Sequence, residues 1–199
     1  MKIAVVSPKV PKDIKKLIDF ESRVVYAVDS AVHELLKQGV LIDLAIGDFD
    51  SLKNKALLKD IKTIKLSKDK DDSDTAYALR HAYQKTDDVV LIGGLHSKRV
   101  DHLVANIMLL EKYPNLTIMD NNNLIKRYDA GEYTINSNDY KYLSIFPIDN
   151  TKITIKDTFY ELNNYKLYRF DTLGLSNKII KKQATLQVHE GSLLVIQSK

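Results

Sequence analysis

The sequence predicts an α/β N-terminal domain with a mostly parallel sheet, followed by an all-β sandwich or barrel C-terminal domain. Three observations carry this reading. Short apolar runs alternate with longer amphipathic stretches over the first 120 residues, the mark of βαβ units. Several of those runs are apolar throughout, as central parallel strands buried on both faces must be. Beyond Asn121-Asn122-Asn123 the pattern changes to short strand-like runs divided by turn signals, with no convincing helix.

In chain order, strands are expected over residues 3–6, 24–28, 41–46, 63–66, 89–92 and 116–119. Helices are expected between them, over 11–20, 30–37, 52–60, 73–85 and 100–113. In the last of these, Val100, Leu103, Val104, Ile107 and Leu110 recur at helical spacing and form the apolar stripe. Later strands are expected over 142–146, 153–155, 185–188 and 193–196. Turn residues punctuate them at Ala130-Gly131-Glu132, Pro147-Ile148-Asp149-Asn150, Asn163-Asn164 and His189-Glu190-Gly191-Ser192. Alternation in Ala184-Thr185-Leu186-Gln187-Val188 predicts one buried face. The Asn run marks the expected boundary, giving domains 1–122 and 123–199.

Composition narrows the chemistry. The chain has no cysteine, which excludes a disulfide framework, a zinc-thiolate site and a thiol nucleophile, and fits a cytoplasmic setting. No signal-peptide pattern is visible, and no apolar run approaches the ~18 residues that span a bilayer, so no membrane partner is expected. The net charge of +4 comes from scattered lysines, which describe a solvated surface that attracts anionic nucleotides rather than a nucleic-acid groove.

Against that basic background, four acids fall within six positions in Asp69-Lys70-Asp71-Asp72-Ser73-Asp74. They follow a second acidic turn, Gly47-Asp48-Phe49-Asp50-Ser51, placed at the carboxyl end of the third strand, where open α/β sheets bind ligands. Residues two apart in an extended turn share a side, so Asp48 and Asp50 can converge. Asp71 and Asp74 share a helix face if the helix begins there. Capping explains one or two of these acids. It does not explain all of them, and crowded oxygen ligands suit a hard cation such as Mg²⁺, which usually arrives with phosphates.

A third constellation, Gly93-Gly94-Leu95-His96-Ser97-Lys98-Arg99-Val100-Asp101-His102, lies between a strand and a helix, where phosphate meets free backbone N–H groups. Arg99, His102 and Asn106 fall three and four apart and form a polar row, with Arg99 at the mouth to grip phosphate oxygens. The competing reading makes Arg99 and Asp101 a surface pair. The Gly-Gly pair matches neither the P-loop nor the dinucleotide fingerprint.

These three blocks, in this order, resemble thiamine pyrophosphokinases. Gly47 to Ser51 is similar to that family's acidic turn, Asp69 to Asp74 to its second acidic block, and Arg99, Asp101, His102, Ala105 and Asn106 to its third. Leu173-Gly174-Leu175-Ser176-Asn177 resembles its Gly-x-Ser-Asn turn, and the segment 190–196 its closing hairpin. The resemblance implies pyrophosphate transfer from ATP to the hydroxyl of thiamine, giving thiamine diphosphate and AMP. It also implies a Mg²⁺ requirement and a homodimer. Metal would be held by Asp48, Asp50, Asp71 and Asp74, with Asp50 or Asp74 taking the hydroxyl proton. Arg99 and Lys98 would stabilise phosphate charge. Asp29, Asp101, His102 and Asn106 would seat the nucleotide, and Ser176 and Asn177 would line the thiamine pocket. Three departures stand out: Ser7-Pro8-Lys9, Ser30-Ala31-Val32-His33 and Ser97-Lys98 replace residues that are usually glycine-rich. Two alternatives use the same acids: a pyrophosphokinase acting on a hydroxymethyl-pterin, and a non-catalytic nucleotide- or thiamine-binding module. A metal phosphohydrolase fits less well, because no histidine lies in the acidic blocks.

Overall fold

A computed structural model describes residues 1–67, 69, 71–96 and 99–199. The chain divides into two compact units, Met1–Asn121 and Asn122–Lys199. The first is an α/β unit. Its strands are β1 (Ile3–Val6), β2 (Val24–Val28), β3 (Leu44–Gly47), β4 (Thr63–Lys65), β5 (Val89–Ile92) and β6 (Thr117–Met119). They stand in the order β4-β3-β2-β1-β5-β6, and every neighbouring pair is parallel. The chain therefore builds outward from β1 to β4, then returns to place β5 on the other flank of β1. That reversal is the point where open α/β sheets form a crevice.

Both faces of the sheet are covered. Ala4, Val6, Val25, Ala27, Val90 and Ile92 pack with Ala31, Val32 and Leu35 of helix α1 (Ala31–Lys37). Helix α2 (Asp74–Tyr83) lies against β1, β2 and β5 through Ala78, Leu79 and Ala82. Helix α3 (Val100–Lys112) follows β5.

Two expected helices shrink to single 3₁₀ turns, Ile14–Lys16 and Lys55–Leu58. In the first, Asp13 adopts a left-handed backbone (φ 50°), which halts a helix begun at Pro11. Gln38 then supplies the hydrogen bonds a helix ladder would have made: its Oε1 accepts from Ile14 N (2.9 Å), and its Nε2 donates to the Pro11 carbonyl (3.0 Å). In the second, Asn54 caps the turn by accepting from Ala56 N, and no residue of the turn is buried. Strand β3 begins at Leu44 rather than Leu41, because Asp43 Oδ2 accepts from Val25 N (2.7 Å) where a strand carbonyl was expected.

The stripe expected on α3 is met in part: Leu110 is buried and Leu103 and Ile107 are half-buried, whereas Val100 and Val104 are 66% and 49% exposed. The polar row contributes a buried member, Asn106, whose Nδ2 donates to the Gly94 carbonyl (3.0 Å).

The second unit is all-β among the described residues. Strands β7 (Asn123–Tyr128), β13 (Leu193–Ser198) and β9 (Tyr142–Pro147) form one antiparallel sheet. Strands β11 (Leu162–Leu167), β10 (Thr151–Lys156), β12 (Gln183–Glu190) and β8 (Gly131–Asn136) form the other. Alternate residues of both sheets, among them Leu143, Ile145, Ile153, Ile155, Leu186, Val188, Leu193 and Val195, make the core of a sandwich. The expected turn at Asn163-Asn164 is instead a bulge within β11. Asn164 is left-handed (φ 51°), and the register against β10 slips there. No described helix is long and apolar enough to cross a membrane.

Asp149 ties two hairpin turns of this unit together. Ser192 donates to it from its backbone N (2.8 Å) and its hydroxyl (3.2 Å). Partial burial pushes this carboxyl up, but the Ser192 and Thr151 hydrogen bonds and the Arg127 charge outweigh it and hold it below its ordinary value. A depressed carboxyl contributes stability above its unfolded value, near 3.8, that is lost as pH falls through the lower folded value. Melts of wild type and Asp149→Asn taken down a pH series are therefore expected to converge in acid. Parallel curves would remove Asp149 from the explanation.

Candidate active site

The carboxyl ends of β1, β2 and β5 surround a cleft of about 690 Å³. Ser7 follows β1, Asp29 follows β2, and Gly94 follows β5. Ser73, Asp74 and Thr75 enter from the start of α2; Arg99, Asp101, His102, Ala105 and Asn106 enter from α3.

Asp29 is held in an uncommon posture. Its backbone is left-handed (φ 48°), a state Asp tolerates better than most residues. Gly47 makes room for it: a Cβ there would stand 3.1 Å from Asp29 Cα. Ser51 donates its hydroxyl to Asp29 Oδ2. Asp29 Oδ1 is buried and accepts no hydrogen bond among the described residues. A buried carboxylate oxygen left this way carries a desolvation cost that a cation offsets. Asp74 is the first residue of α2, where a negative charge suits the helix dipole, and Ser73 caps the helix by accepting from Ala76 N (3.1 Å).

The floor is polar and tightly packed. Ser7 Oγ and Thr75 Oγ1 share a buried hydrogen bond of 3.1 Å. Gly94 is left-handed (φ 73°), and a Cβ on it would stand 2.5 Å from Asn106 Nδ2 and 3.1 Å from Ser7 Oγ. Only glycine fits that space without displacing both side chains. At the mouth, Arg99 Nε donates to Asp101 Oδ1 (3.1 Å), and both side chains are exposed. Hydrogen bonding from the Arg99 guanidinium brings the Asp101 carboxyl down to about 2, so it is ionised at neutral pH. Asp101 thus orients Arg99 instead of facing the cleft as an independent ligand.

The sequence-predicted residues divide accordingly. The structure brings together Asp29, Asp74, Arg99, Asp101, His102 and Asn106. Asp48, Asp50 and Asp71 are not among the cleft-lining residues, and no group of three or more acids or histidines converges on one point among the described residues. Asp48 Oδ1 accepts from Asp50 N (3.0 Å), closing its own turn, and Phe49 between them is buried. In the second acidic block, Asp72 pairs with Arg80 on α2. Lys98 lies outside the described residues. In the second unit, Asn177 is buried. Its Nδ2 donates to the Tyr160 carbonyl (2.7 Å), and its Oδ1 accepts from Tyr160 N (2.9 Å). Its amide therefore locks the turn. Neighbouring Ser176 is exposed and left-handed (φ 59°). Sequence reasoning missed Ser7, Ser51 and Thr75 as parts of the cleft. The available signal was Ser7, a hydroxyl placed directly after a fully apolar strand.

Comparison with known proteins identifies this arrangement. Residues 15–120 match the family model for the thiamin pyrophosphokinase catalytic domain. Residues 132–193 match that for the thiamin pyrophosphokinase vitamin B1 binding domain. The chain is 32% identical over 182 residues to a thiamine pyrophosphokinase of Bacillus subtilis, covering 86% of this chain and 85% of that protein. Among solved structures, thiamine pyrophosphokinase from Bacillus subtilis superposes with a TM-score of 0.89 at 27% identity, covering 100% of this chain and 99% of the other. That of Geobacillus thermodenitrificans gives 0.87 at 30% identity, covering 100% and 98%. With both domain models matched in order and a relative similar along most of its length, the chain belongs to the thiamine pyrophosphokinase family.

Proposed function

We propose that this enzyme transfers pyrophosphate from ATP to the hydroxyl of thiamine, giving thiamine diphosphate and AMP. The observation that carries the reading is the meeting of Asp29 and Asp74 with the Arg99 to Asn106 row in one cleft at the sheet's reversal point. In the transfer, the thiamine oxygen attacks the β-phosphorus, the bond from that phosphorus to the α-phosphate oxygen breaks, and AMP leaves with the electron pair. The hydroxyl proton passes to Asp74. Such reactions depend on positioning and charge neutralisation more than on covalent help. Arg99, oriented by Asp101, donates to phosphate oxygens. Asn106 acts through Gly94, and His102 lines the nucleotide path.

A magnesium ion fits the residues present. Asp29 Oδ1 and Asp74 supply hard oxygen ligands, and Mg²⁺ typically takes one or two carboxylates while water and phosphate complete its shell. When bound, it neutralises and orients the triphosphate. Asp48, Asp50 and Asp71 add negative field from the adjoining loops. We also propose a cytoplasmic homodimer, with Ser176 at the thiamine pocket. Exposed Phe159, Tyr160 and Phe170 on the second unit support a subunit contact. The pterin and binding-module alternatives are not favoured, since both matched family models are thiamin pyrophosphokinase domains.

The direct test incubates the protein with ATP, MgCl₂ and thiamine. AMP and thiamine diphosphate are expected in equal amounts, and neither when chelator is added. Release of ADP, or of pyrophosphate without ester, would overturn the assignment.

A further inference from the structure

Helix α2 carries Asp74, and the side chains that seat it on the sheet are mostly apolar. Its buried residues are Thr75, Ala78, Leu79 and Ala82, which share one face at helical spacing. Apolar burial is non-directional, so small side chains of this kind let a helix slide or turn on a sheet. A polar contact removes that freedom. Thr75 Oγ1 lies 3.1 Å from Ser7 Oγ at the end of β1, and both residues are buried. We infer that Ser7 and Thr75 are a positioning pair that fixes Asp74 for the transfer step. The inference rests on the transfer reading above and assigns a role to two hydroxyls that lie beside the reacting groups.

Geometry puts the bond where it has most leverage. Thr75 adjoins Asp74 in the first turn, and successive helical residues stand about 100° apart. With Thr75 held to the sheet, Asp74 is turned toward the cleft that it lines. Asp74 Oδ1 is buried, so a small rotation of the helix end changes what that oxygen faces. The Ser73 cap, which accepts from Ala76 N, stays within the helix's own first turn and sets no position on the sheet. The Ser7–Thr75 bond joins residues 68 positions apart and supplies that reference.

Ser7 is itself firmly held. Its backbone N donates to the Ile92 carbonyl (2.9 Å), which ties the end of β1 to β5. Gly94 leaves the space that the Ser7 side chain occupies, since a Cβ there would stand 3.1 Å from Ser7 Oγ. Asn106, on α3, donates to the Gly94 carbonyl from the same side. One buried point at the end of β1 therefore meets the start of α2, with Asp74, and through Gly94 the seat of α3, which begins after Arg99. Each hydroxyl can donate or accept in the bond, and loss of either oxygen abolishes it.

The test compares wild type with Thr75→Val, Thr75→Ser, Ser7→Ala and Ser7→Ala/Thr75→Val, in the full chain with ATP, MgCl₂ and thiamine. Melting curves establish that each variant is folded at the assay temperature. Thr75→Val keeps the branched shape and loses the hydroxyl. Its kcat for thiamine diphosphate formation is expected to fall about tenfold, because even a slight misplacement of a reacting group is costly. KM for ATP and for thiamine should each stay within about twofold. Ser7→Ala removes one atom, reads the bond from its other end and should behave alike. The double variant should be no slower than the slower single one, because its second substitution removes a partner already lost. Thr75→Ser keeps the hydroxyl and should run within about twofold of wild type. A contact that served stability alone would lower the melting temperature and leave kcat unmoved. The inference is overturned if Thr75→Val and Ser7→Ala both keep kcat within about twofold of wild type, or if Thr75→Ser is as slow as Thr75→Val. A wild type that forms no thiamine diphosphate removes the transfer reading, and this inference with it.

Discussion

Asp74→Asn lowers the turnover number by about 10²–10³-fold, the usual cost of losing one charged partner at the centre of a transfer. The fold survives it. Asp74 begins α2 next to an intact Ser73 cap, so the helix keeps its cap and loses a charge–dipole contribution of about 0.3–1 kcal/mol. Rates of thiamine diphosphate formation paired with a thermal melt separate the two effects. Asp50→Asn is the informative contrast. Its carboxylate is absent from the cleft wall, so the expected loss is about tenfold, as for groups that act at second hand. Equal losses in the two variants would restore the four-carboxylate centre expected from sequence.

Gly94→Ala is expected to destabilise the first unit through both backbone and packing. A left-handed backbone costs a residue with a Cβ roughly 1–2 kcal/mol. The new methyl also displaces Asn106, whose hydrogen bond to the Gly94 carbonyl is worth about 1 kcal/mol. The total is about 2–3 kcal/mol. Because the steric part involves Asn106 directly, the effects should not add. Gly94→Ala/Asn106→Ala is expected to be more stable than the sum of the single variants predicts, with a coupling of about 0.5–3 kcal/mol. Strict additivity in denaturant melts would place the strain elsewhere.

Periodicity made much of this molecule legible. The parallel strands, the helices carrying Asp74 and Arg99, and the change to strands after the Asn run all follow from apolar spacing. What spacing could not reveal was the competition for backbone hydrogen bonds. Residues 11–20 look helical in isolation, but Gln38, from a distant segment, supplies the partners that end the helix. Asp43 shortens β3 in the same way. On α3 the apolar pattern identified the buried side at Leu103, Ile107 and Leu110 but not the exposure of Val100 and Val104 or the burial of the Asn106 amide.

The site was legible in kind and less so in arrangement. Acid-rich loops signalled a cation, but which acids line the cleft depends on strand order, and Asp29, at the end of β2, shares the cleft wall with Asp74. The turn at Ser176-Asn177 shows a further limit. An amide that locks a turn and an amide that meets a ligand read alike in sequence, and here Tyr160 claims both ends of Asn177.

The reversal in strand order has a kinetic corollary. Ser7 and Thr75, hydrogen-bonded across the floor, are 68 positions apart in the chain. Gly94 must then arrive on the far flank of β1 before the pocket acquires its last wall. The cleft draws on residues from Ser7 to Asn106, so no short segment carries its geometry, and late-closing, non-local contacts of this kind are slow to form. Recovered turnover after dilution from denaturant should therefore lag behind recovered helix signal, making catalysis a reporter for completion of the parallel sheet.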